Sequence, residues 1–323
     1  MPGLVEAVPN VSEGRRLGVI DRLAAAVEAT AGAQLLHRTS DASHNRSVLT
    51  LAGEPGPVSH ALERVVEIAV AEIHMEDHRG EHPRIGAVDV IPFVPLAGTT
   101  MDDCVELARA FCARIAARFD LPVYLYAEAA TRAERVLLKD VRRGQYEGLK
   151  LEIAQHGRAP DFGPGRIHPT AGAVAVGARP FLIAWNINLD SADRELAVRI
   201  ARRVRESGGG LPRVQANGFF IEELGQAQVS MNLLDFAVTP IWLVWETVAE
   251  IAAEDGVSLA ESELIGLAPV AALLAVADRA GAPEGAPVGE RLAAAAQAIR
   301  LRDFSPLQAL ELRLEAAQSA GSR

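Results

Sequence analysis

The densest cluster of side chains that could do chemistry lies at residues 78–89, between a predicted helix and a predicted strand. It reads His-Arg-Gly-Glu-His-Pro-Arg-Ile-Gly-Ala-Val-Asp, and loops on a rigid scaffold are where catalytic groups are commonly placed. His82 stands between Glu81 and Pro83, with Arg84 beside it. Imidazole is the side chain best matched to proton transfer near neutral pH, so His82 is a candidate general acid or base. Since a lone loop histidine is more often structural, the local pattern leaves both roles open.

Metal binding is a second possible use of this cluster, because His74, His78 and His82 are spaced by four residues. On a continuous helix they would line one face, and such a face can bind a transition metal. Gly80 weakens that helix, and Pro83 disfavours a helical conformation for the residue before it. We therefore expect no metal site. We expect His74 and His78 to lie at a solvated helix end, where the helix dipole favours positive charge.

Another polar cluster, at residues 40–47, falls between two predicted strands. Asp41 and Asn45 are natural turn formers, which is the structural interpretation of this stretch. Arg46 carries a planar guanidinium fork that suits a carboxylate, which is the functional interpretation. The sequence alone leaves both open.

A third candidate is the stretch 8–14, directly between the first predicted strand and the first predicted helix. It contains Asn10 and Ser12. The free backbone N–H groups at a helix start can hold an anion. The alternative is that Ser12 simply caps the helix.

The charge and composition of the chain limit the classes of partner that it can bind. The 323 residues carry a formal net charge of −10 and are 49% hydrophobic, so the chain can build a large core, and disorder is not expected. An acidic chain repels nucleic acid and anionic membrane surfaces, and we expect neither as a partner. An anionic ligand would need a local basic pocket.

The cysteines and the terminus predict a cytoplasmic protein. Cys104 and Cys112 lie eight residues apart on one predicted helix, so they cannot pair within it. The N-terminus lacks the basic and apolar regions of a signal peptide. The apolar run 264–277 is too short to span a bilayer.

The hydrophobic pattern predicts an α+β fold of two tandem ferredoxin-like (β-α-β-β-α-β) subdomains with a crevice between them, followed by a helical tail. We expect an N-terminal subdomain at 1–178, which carries His82, a C-terminal subdomain at 179–282 and the tail at 283–323. The Gly/Pro-rich stretch 163–179 predicts a connecting loop. In the first half, strands are predicted at 4–8, 34–36, 47–51, 87–94 and 122–127, and helices at 15–30, 57–74 and 100–118. In the second half, strands are predicted at 181–189, 213–221, 227–234 and 261–266, and helices at 191–206 (capped by Ser191), 240–253 and 268–280.

Several motifs that would indicate other enzyme classes are absent from the sequence. It has no GxGxxG, Walker A, CxxC, HExxH or GxSxG pattern. Nicotinamide dehydrogenases, P-loop enzymes, classical zinc proteases and α/β-hydrolases are therefore poor candidates.

Longer stretches of the chain resemble the formiminotransferase family, which includes glutamate formimidoyltransferases and the N-terminal part of formiminotransferase–cyclodeaminases. The resemblance covers residues 4–236 in order and weakens toward 280. The chain is too short for a cyclodeaminase domain, so no second activity is expected. The matching stretches are VEAVPNVSEG, HNRSV, RGEHPRIGAVDVIPFVP, LPVYLYAEAA, APDFGPG, FLIAWNINL and AQVSMNLLDF.

The resemblance implies roles for particular residues. His82 matches the family's catalytic histidine, and the glycine-rich stretch with Gly163, Pro164, Gly165 and Gly172 matches a folate-contacting loop. It also implies tetrahydrofolate as co-substrate, a folate site in the crevice, a homodimer and no metal. Two departures concern the finer contacts: Thr39 stands where animal members carry an acidic residue, and the glycine-rich loop has Arg166 and His168 of its own.

The reaction that the resemblance implies is transfer of the formimino group from N-formimino-L-glutamate to N5 of tetrahydrofolate, a step of histidine degradation and one-carbon metabolism. Both substrates are polyanionic, which explains a need for local arginines. We expect Asp41 or Glu81 to orient His82 or to hold the cationic amidinium. The residues predicted to bind substrate or folate outside the glycine-rich loop are Asn10, Ser12, Asp41, Asn45, Arg46, Glu81 and Arg84, with Arg38 and Arg166 as further candidate cations.

Three rival functions remain open at this point. A formyltransferase acting on N-formyl-glutamate would differ from the implied enzyme by a single atom of the donor. A non-catalytic folate-binding protein could share the fold. A metal hydrolase would use His74, His78 and His82.

Overall fold

The computed structural model describes residues 3–321, with side chains described as far as Ser319. The chain divides into two compact units, Met1–Pro180 and Phe181–Arg323. The first unit contains a mixed sheet, and the second contains an antiparallel sheet followed by C-terminal helices. This confirms the predicted α+β class with two units and a helical C-terminal region.

The first unit begins with a broken strand, continues through one hairpin that lies between two helices, and ends with three mutually parallel strands. Its elements are β1 (Val5–Ala7), β2 (Asn10–Val11), α1 (Leu17–Glu28), β3 (Ala33–Asp41), β4 (Arg46–Gly53), α2 (Pro55–Glu72), β5 (Val88–Pro95), α3 (Met101–Phe119), β6 (Val123–Ala127), α4 (Leu138–Val141), α5 (Gln145–Glu152) and β7 (Val174–Ala178). Short 3₁₀ turns lie at Ala133–Arg135 and His156–Arg158.

The strands of this sheet follow the spatial order β3, β4, β1/β2, β5, β7, β6. The pairs from β3 to β5 are antiparallel, whereas β5–β7 and β7–β6 are parallel. At one edge of the sheet Asp41 pairs with Arg46, and Val11 pairs with both Ser47 and Val88. The end of β3, the start of β4, the end of β2 and the start of β5 therefore meet at this edge. This is where the polar clusters of the sequence converge.

Helices cover both faces of the parallel part of the first sheet. One core joins α1, α2 and α3 to the sheet through residues such as Leu23, Leu62 and Phe111. On the other face, α4 and α5 supply Val141 and Leu149 to a smaller cluster with Tyr124 and Tyr126. Because β5 is covered on both faces, seven of its eight residues are buried, which explains its continuous apolar sequence.

The second unit has the element order β-α-β-β-α-β, and its strands follow the spatial order β11, β8, β10, β9 with every neighbour antiparallel. Leu292, Ile299 and Ala309 from the C-terminal region pack into the core of this unit. Its elements are β8 (Ile183–Leu189), α6 (Arg194–Val204), β9 (Val214–Ile221), β10 (Gln226–Leu233), α7 (Ile241–Glu254), β11 (Leu259–Ile265), α8 (Val270–Arg279), α9 (Val288–Ala298) and α10 (Leu310–Gly321), with 3₁₀ turns at Glu206–Gly208 and Pro306–Gln308.

Two details of the predicted element pattern are wrong. The stretch 163–179, predicted as a loop, contains β7 (Val174–Ala178), all five residues of which are buried between β5 and β6. Helix α6 is capped by Asp193, whose carboxylate accepts the N–H groups of Glu195 and Leu196, and not by Ser191. Ser191 instead accepts the N–H of Asp193 itself.

Candidate active site

Three loops meet at the polar edge of the first sheet, and two glycines let them approach closely. The loops are 12–16 after β2, the turn 42–45 between β3 and β4, and 73–87 before β5. A Cβ on Gly14 would lie 2.1 Å from the carbonyl oxygen of Asp41, and one on Gly80 would lie 2.3 Å from that of His44. Since real Cβ contacts are much longer, both glycines are required for this packing.

Asn45 holds the three loops together from the centre of the turn. It is buried and adopts a left-handed conformation with φ of 49°, which asparagine tolerates better than most residues. Its Oδ1 accepts the N–H of Gly14 at 2.9 Å, and its Nδ2 donates to the carbonyl of Arg79 at 3.0 Å. The polar groups of this buried amide are thus used for positioning the loops.

The central contact of the site joins His82 and Arg46. Nη1 of Arg46 lies 2.8 Å from Nε2 of His82. A guanidinium is always a donor, so Nε2 is the acceptor, and the proton of the neutral ring is on Nδ1. Burial, together with the positive charges of Arg46 and Arg142, lowers the pKa of His82 to about 3. The imidazole is therefore neutral at physiological pH, as a general base must be.

The groups around this pair are mostly paired with each other. His44 bonds Asp41, Nδ1 to Oδ2 at 2.9 Å, and its ring lies edge-on to that of His82 with 6.4 Å between centroids. Arg142, at the C-terminal end of α4, forms an ion pair with the buried Asp89 of β5. In the described part of the chain, neither Asp41 nor Glu81 bonds His82, and Arg46 occupies the position expected for them.

Arg84 forms hydrogen bonds within the first unit from all three guanidinium nitrogens. Nε donates to Nδ1 of His78 at 3.1 Å, Nη1 to Gln145 and Glu147, and Nη2 to Glu147 at 2.6 Å. With a side chain only 7% exposed, Arg84 links the loop before β5 to helix α5. The geometry therefore assigns it to positioning the loop that carries His82.

His78 is buried, so the prediction that it lies at a solvated helix end is wrong. Helix α2 ends at Glu72, and the ring of His78 lies inside the loop packing, where Nε2 donates to the carbonyl of Asn45 at 2.9 Å. Burial lowers the pKa of His78. His74, by contrast, is exposed two residues beyond the helix. No group of three or more potential metal-ligating side chains occurs among the residues that the structure describes.

The four arginines considered from the sequence differ in their partners. Arg38 pairs with Asp21, Arg84 with Glu147, and Arg166 with Asp120. Within residues 3–319, no carboxylate oxygen lies within ion-pair distance of Arg46. Its guanidinium is partly buried and has the neutral ring of His82 as its partner. Arg46 is thus the arginine of this set that is left free to bind an anion.

The helix start predicted as an anion site is filled by the chain itself. The carboxylate of Glu13, 4% exposed, accepts the N–H groups of Arg15 and Arg16. Burial raises its pKa, but these N–H groups and the guanidinium of Arg16 together outweigh burial and hold the pKa of Glu13 below its usual value. Ser12 does not cap the helix: its hydroxyl donates to the carbonyl of Gly86 at 2.7 Å. Asn10 donates its amide to the carbonyl of Val8.

The glycine-rich stretch lies along the same end of the parallel strands. Gly163 follows Phe162, which bridges Val123 at the start of β6, and Gly172 bridges Gly86 before β5. Gly163 and Gly172 have positive φ values of 82° and 74°, which favour glycine. Pro164 is half-buried and Gly165 is exposed, with open space around its Cα. This part of the stretch is therefore open to solvent.

Arg142, Glu147 and Glu13 were not predicted from the sequence. Arg142 and Glu147 come from the segment 131–158, which has no recognisable motif. They reach the site because α4 and α5 pack on the second face of the sheet. Glu13 was within a quoted motif, and an acidic residue four positions before the first helical residue could have indicated a role at the start of the helix.

The matching family models and the curated relatives point to the same family. Family models match for the formiminotransferase domain, N-terminal subdomain, at residues 4–179 and for the formiminotransferase domain at residues 184–282. The glutamate formimidoyltransferase of Streptococcus pyogenes serotype M1 is 44% identical over 278 residues, which cover 86% of this chain and 93% of the relative. The formimidoyltransferase-cyclodeaminase of Sus scrofa is 47% identical over 280 residues, 85% of this chain and 52% of the relative.

The fold and site thus define a two-unit α+β protein with a neutral imidazole beside an arginine free to bind an anion. An archaeal relative, the glutamate formimidoyltransferase of Thermoplasma acidophilum, is also 44% identical, over 85% of this chain and 91% of its own length. The chain belongs to the formiminotransferase family.

Proposed function

We propose that this chain is a glutamate formimidoyltransferase, which transfers the formimino group of N-formimino-L-glutamate to N5 of tetrahydrofolate. The products are 5-formiminotetrahydrofolate and glutamate. The observation that carries the mechanism is the pair formed by His82 and Arg46, which places a neutral base beside a cation that lacks a carboxylate partner among the described residues. The names of the curated relatives support the choice of donor.

The reaction needs one proton acceptor and one proton donor in sequence. N5 attacks the amidine carbon, a new C–N bond forms, and an electron pair of the C=N bond moves to nitrogen. In the tetrahedral intermediate N5 gives its proton to Nε2 of His82. The imidazolium then returns a proton to the glutamate nitrogen, the C–N bond to glutamate breaks, and the lone pair on the former imino nitrogen re-forms the C=N bond of the product. General acid–base help of this kind contributes about 10²–10⁴-fold, and holding the two substrates together contributes further.

The other proposed site residues fall into two groups, those proposed to contact a substrate and those proposed to position the loops. Glu81, exposed and next to His82 in the chain, is proposed to face the amidinium. Asp41 is also exposed and is proposed for the same role, although both of its carboxylate oxygens contact His44 in the ligand-free protein. The backbone of Gly163, Pro164, Gly165 and Gly172 is proposed to contact the folate. The remaining candidates already have partners inside the unit, and we propose that they shape the site by positioning its loops: Asn10, Ser12, Asn45 and Arg84.

The proposal extends to the organisation of the chain. We propose ferredoxin-like subdomains at 1–178 and 179–282 and a helical tail at 283–323. The strand orders β3, β4, β1/β2, β5 and β11, β8, β10, β9 support both subdomains. A homodimer in the cytoplasm, without a metal, is part of the same proposal. Two buried free cysteines are consistent with a reducing compartment, and among the described residues no helix is long and apolar enough to cross a membrane.

A side-by-side donor assay tests the proposed function. Purified protein is incubated with tetrahydrofolate and either N-formimino-L-glutamate or N-formyl-L-glutamate, and the folate product and released glutamate are both quantified. We expect equimolar 5-formiminotetrahydrofolate and glutamate from the formimino donor. Faster transfer from the formyl donor would assign the protein to the alternative reaction. Tight folate binding without transfer from either donor would contradict an enzymatic role.

A further inference from the structure

The hydrogen bond between Arg46 and His82 occupies the atom that the reaction needs. Nε2 of His82 has one basic lone pair, and at 2.8 Å from Nη1 of Arg46 that lone pair accepts the guanidinium proton. The other ring nitrogen already carries a proton and cannot accept a second. In the ligand-free enzyme the base is therefore neutral but blocked, and something must move Arg46 before Nε2 can take a proton from N5.

Arg46 is suited to leave this contact when an anion arrives. Its guanidinium has five N–H donors, and the structure records a side-chain partner for one of them. The neighbouring cation Arg142 is already paired with Asp89. Arginine binds carboxylates through two parallel hydrogen bonds, which are about twice as strong as neutral ones. A carboxylate will therefore displace the imidazole as the preferred partner of Arg46.

The chemistry of the donor identifies that carboxylate. In N-formimino-L-glutamate the α-carboxylate and the reacting nitrogen are attached to the same carbon atom. In tetrahydrofolate the glutamate carboxylates are separated from N5 by an aminobenzoyl group. Because Arg46 touches the base itself, a carboxylate on Arg46 must lie close to the reacting atoms. The α-carboxylate of the amino-acid substrate meets this condition best, because the γ-carboxylate lies two bonds further from the reacting nitrogen.

We propose that Arg46 is a substrate-operated latch, in which the α-carboxylate of the donor takes over the guanidinium and so releases Nε2 of His82 for proton transfer. The inference rests on the proposed function and adds the regulation of its base. Arg46 is then a specificity-determining residue, which selects donors with an α-carboxylate and keeps the base blocked until one is bound.

The latch couples ligand binding to the titration of His82. The charged and titratable groups facing His82 are Arg46 from β4, Arg142 from the end of α4, His44 from the turn, and His78 from its own loop. A bound α-carboxylate would remove one hydrogen bond to Nε2 and offset the charge of Arg46. Both changes favour the protonated ring, so the pKa of His82 must rise on binding, and each unit of rise corresponds to a tenfold change in protonation.

Nuclear magnetic resonance of ¹³C-labelled histidine tests the latch on the whole protein. His82 is assigned by comparison with His82→Gln and titrated with pH, alone and with saturating ligand, with saturation confirmed by calorimetry. The ligands are L-glutamate, its γ-amide (glutamine) and its α-amide (isoglutamine). We expect glutamate and glutamine to raise the titration midpoint of His82 by about one unit or more. The α-amide should leave the midpoint unchanged.

Variants separate the latch from a general loss of positive charge. In Arg46→Gln the midpoint of His82 should be raised already in the free protein and should not respond to glutamate, and glutamate affinity should fall about 10–100-fold. Arg22→Gln removes a charge from the exposed pair with Glu72 and should behave as wild type. If Arg46→Gln does not fold, the wild-type titration with the three ligands still decides the question.

The possible failures are distinguishable. A wild-type enzyme that transfers formimino groups while the midpoint of His82 ignores saturating glutamate would overturn the latch and leave the function standing. A midpoint that responds equally to the α-amide would overturn the assignment to the α-carboxylate. A midpoint that shifts as expected in a protein that transfers nothing would keep the latch and overturn the proposed function.

Discussion

The side-chain carbonyl of Asn45 accepts the backbone N–H of Gly14 at 2.9 Å, across a gap of 31 residues in the sequence. The same amide donates to the carbonyl of Arg79, in the loop that carries His82. One buried side chain thus fixes the mutual placement of three loops. His82 lies in one of these loops and Arg46 directly follows Asn45, so both depend on these contacts for their positions.

Substitution of Asn45 should weaken the frame in graded steps. Asn45→Asp keeps the acceptor for Gly14 but turns an oxygen toward the carbonyl of Arg79, whereas Asn45→Ala removes both bonds. We expect Asn45→Ala to lower the free energy of unfolding by about 1–3 kcal/mol, because buried backbone groups lose their partners. Urea unfolding measures the free energy of unfolding of each variant. Asn45→Gly also lacks both hydrogen bonds but tolerates the left-handed backbone, so the difference between Asn45→Ala and Asn45→Gly gives the contribution of backbone strain. Wild-type stability in Asn45→Ala would contradict the role of the amide.

Replacement of His82 should abolish chemistry more than binding. We expect His82→Gln to reduce turnover about 10²–10⁴-fold, since general acid–base help is lost, with folate affinity changed by less than about threefold because the ring is assigned to proton transfer. Steady-state kinetics and fluorescence titration with tetrahydrofolate separate the two effects. His74→Gln, at an exposed histidine, is the matched control. Equal loss of activity in both variants would favour a shared metal over a general base.

A methyl group at Gly80 should displace the catalytic loop. The added Cβ of Gly80→Ala would lie 2.3 Å from the carbonyl oxygen of His44 and 2.8 Å from Cβ of Asn45, so the loop must move. We expect turnover to fall at least about tenfold, because small misplacements of catalytic groups are costly. Gly56→Ala, at a helix position with nothing within 4 Å, should retain full activity and serves as the control. Steady-state kinetics compare the turnover of the two variants with that of the wild type, and circular dichroism at equal protein concentration checks that each variant is folded.

Arg84 should matter for stability more than for substrate affinity. Lysine cannot reproduce bonds from three guanidinium nitrogens, so Arg84→Lys should lower the free energy of unfolding by about 1–3 kcal/mol. Arg22→Lys, in the exposed pair with Glu72, should leave the free energy of unfolding nearly unchanged, because solvent screens exposed ion pairs. Urea unfolding of both variants measures the difference. Unchanged stability with a raised KM would instead make Arg84 a substrate contact.

The low pKa of His82 predicts a specific loss of stability in acid. Burial holds the folded-state pKa near 3, whereas the unfolded residue titrates near 6.5. Between these values the unfolded chain binds more protons, so stability is full above about pH 6.5 and falls as pH decreases, by at most about 1.4 kcal/mol per unit. His82→Gln lacks this contribution. Urea unfolding of wild type and variant at pH 7, 6 and 5 should therefore show a shallower decline for the variant.

The strongly periodic elements of the fold were predictable, and the weakly patterned ones were not. Helices α2 and α3 have long apolar stripes, and α3 begins with a capping box of Thr100 and Asp103. Strand β7 reads Val-Ala-Val-Gly-Ala in a glycine-rich region. Small residues and an internal glycine give no strand signal, and its burial comes from neighbours far away in the sequence.

In the site, the chemistry of single residues was predictable from the sequence, but the partners of those residues were not. Asn45 and His82 were recognisable as a turn former and a proton-transfer residue from their chemistry and loop context. The partner of His82 was not, since an arginine 36 residues away is brought to it only by the register of β4 against β2 and the packing of Gly80 on the turn. Likewise, nothing near His78 in the sequence indicates that its ring is buried.

The placement of β7 has a consequence for how the chain is made. Strands β5 and β6 are neighbours along the chain, yet the strand that separates them, Val174–Ala178, is synthesised about fifty residues after β6. Until it leaves the ribosome, β5 and β6 each expose an unpaired edge, and such edges invite aggregation. The first unit can therefore complete its sheet only late in its own translation, and a pause before Val174 would prolong the most vulnerable state of the nascent protein.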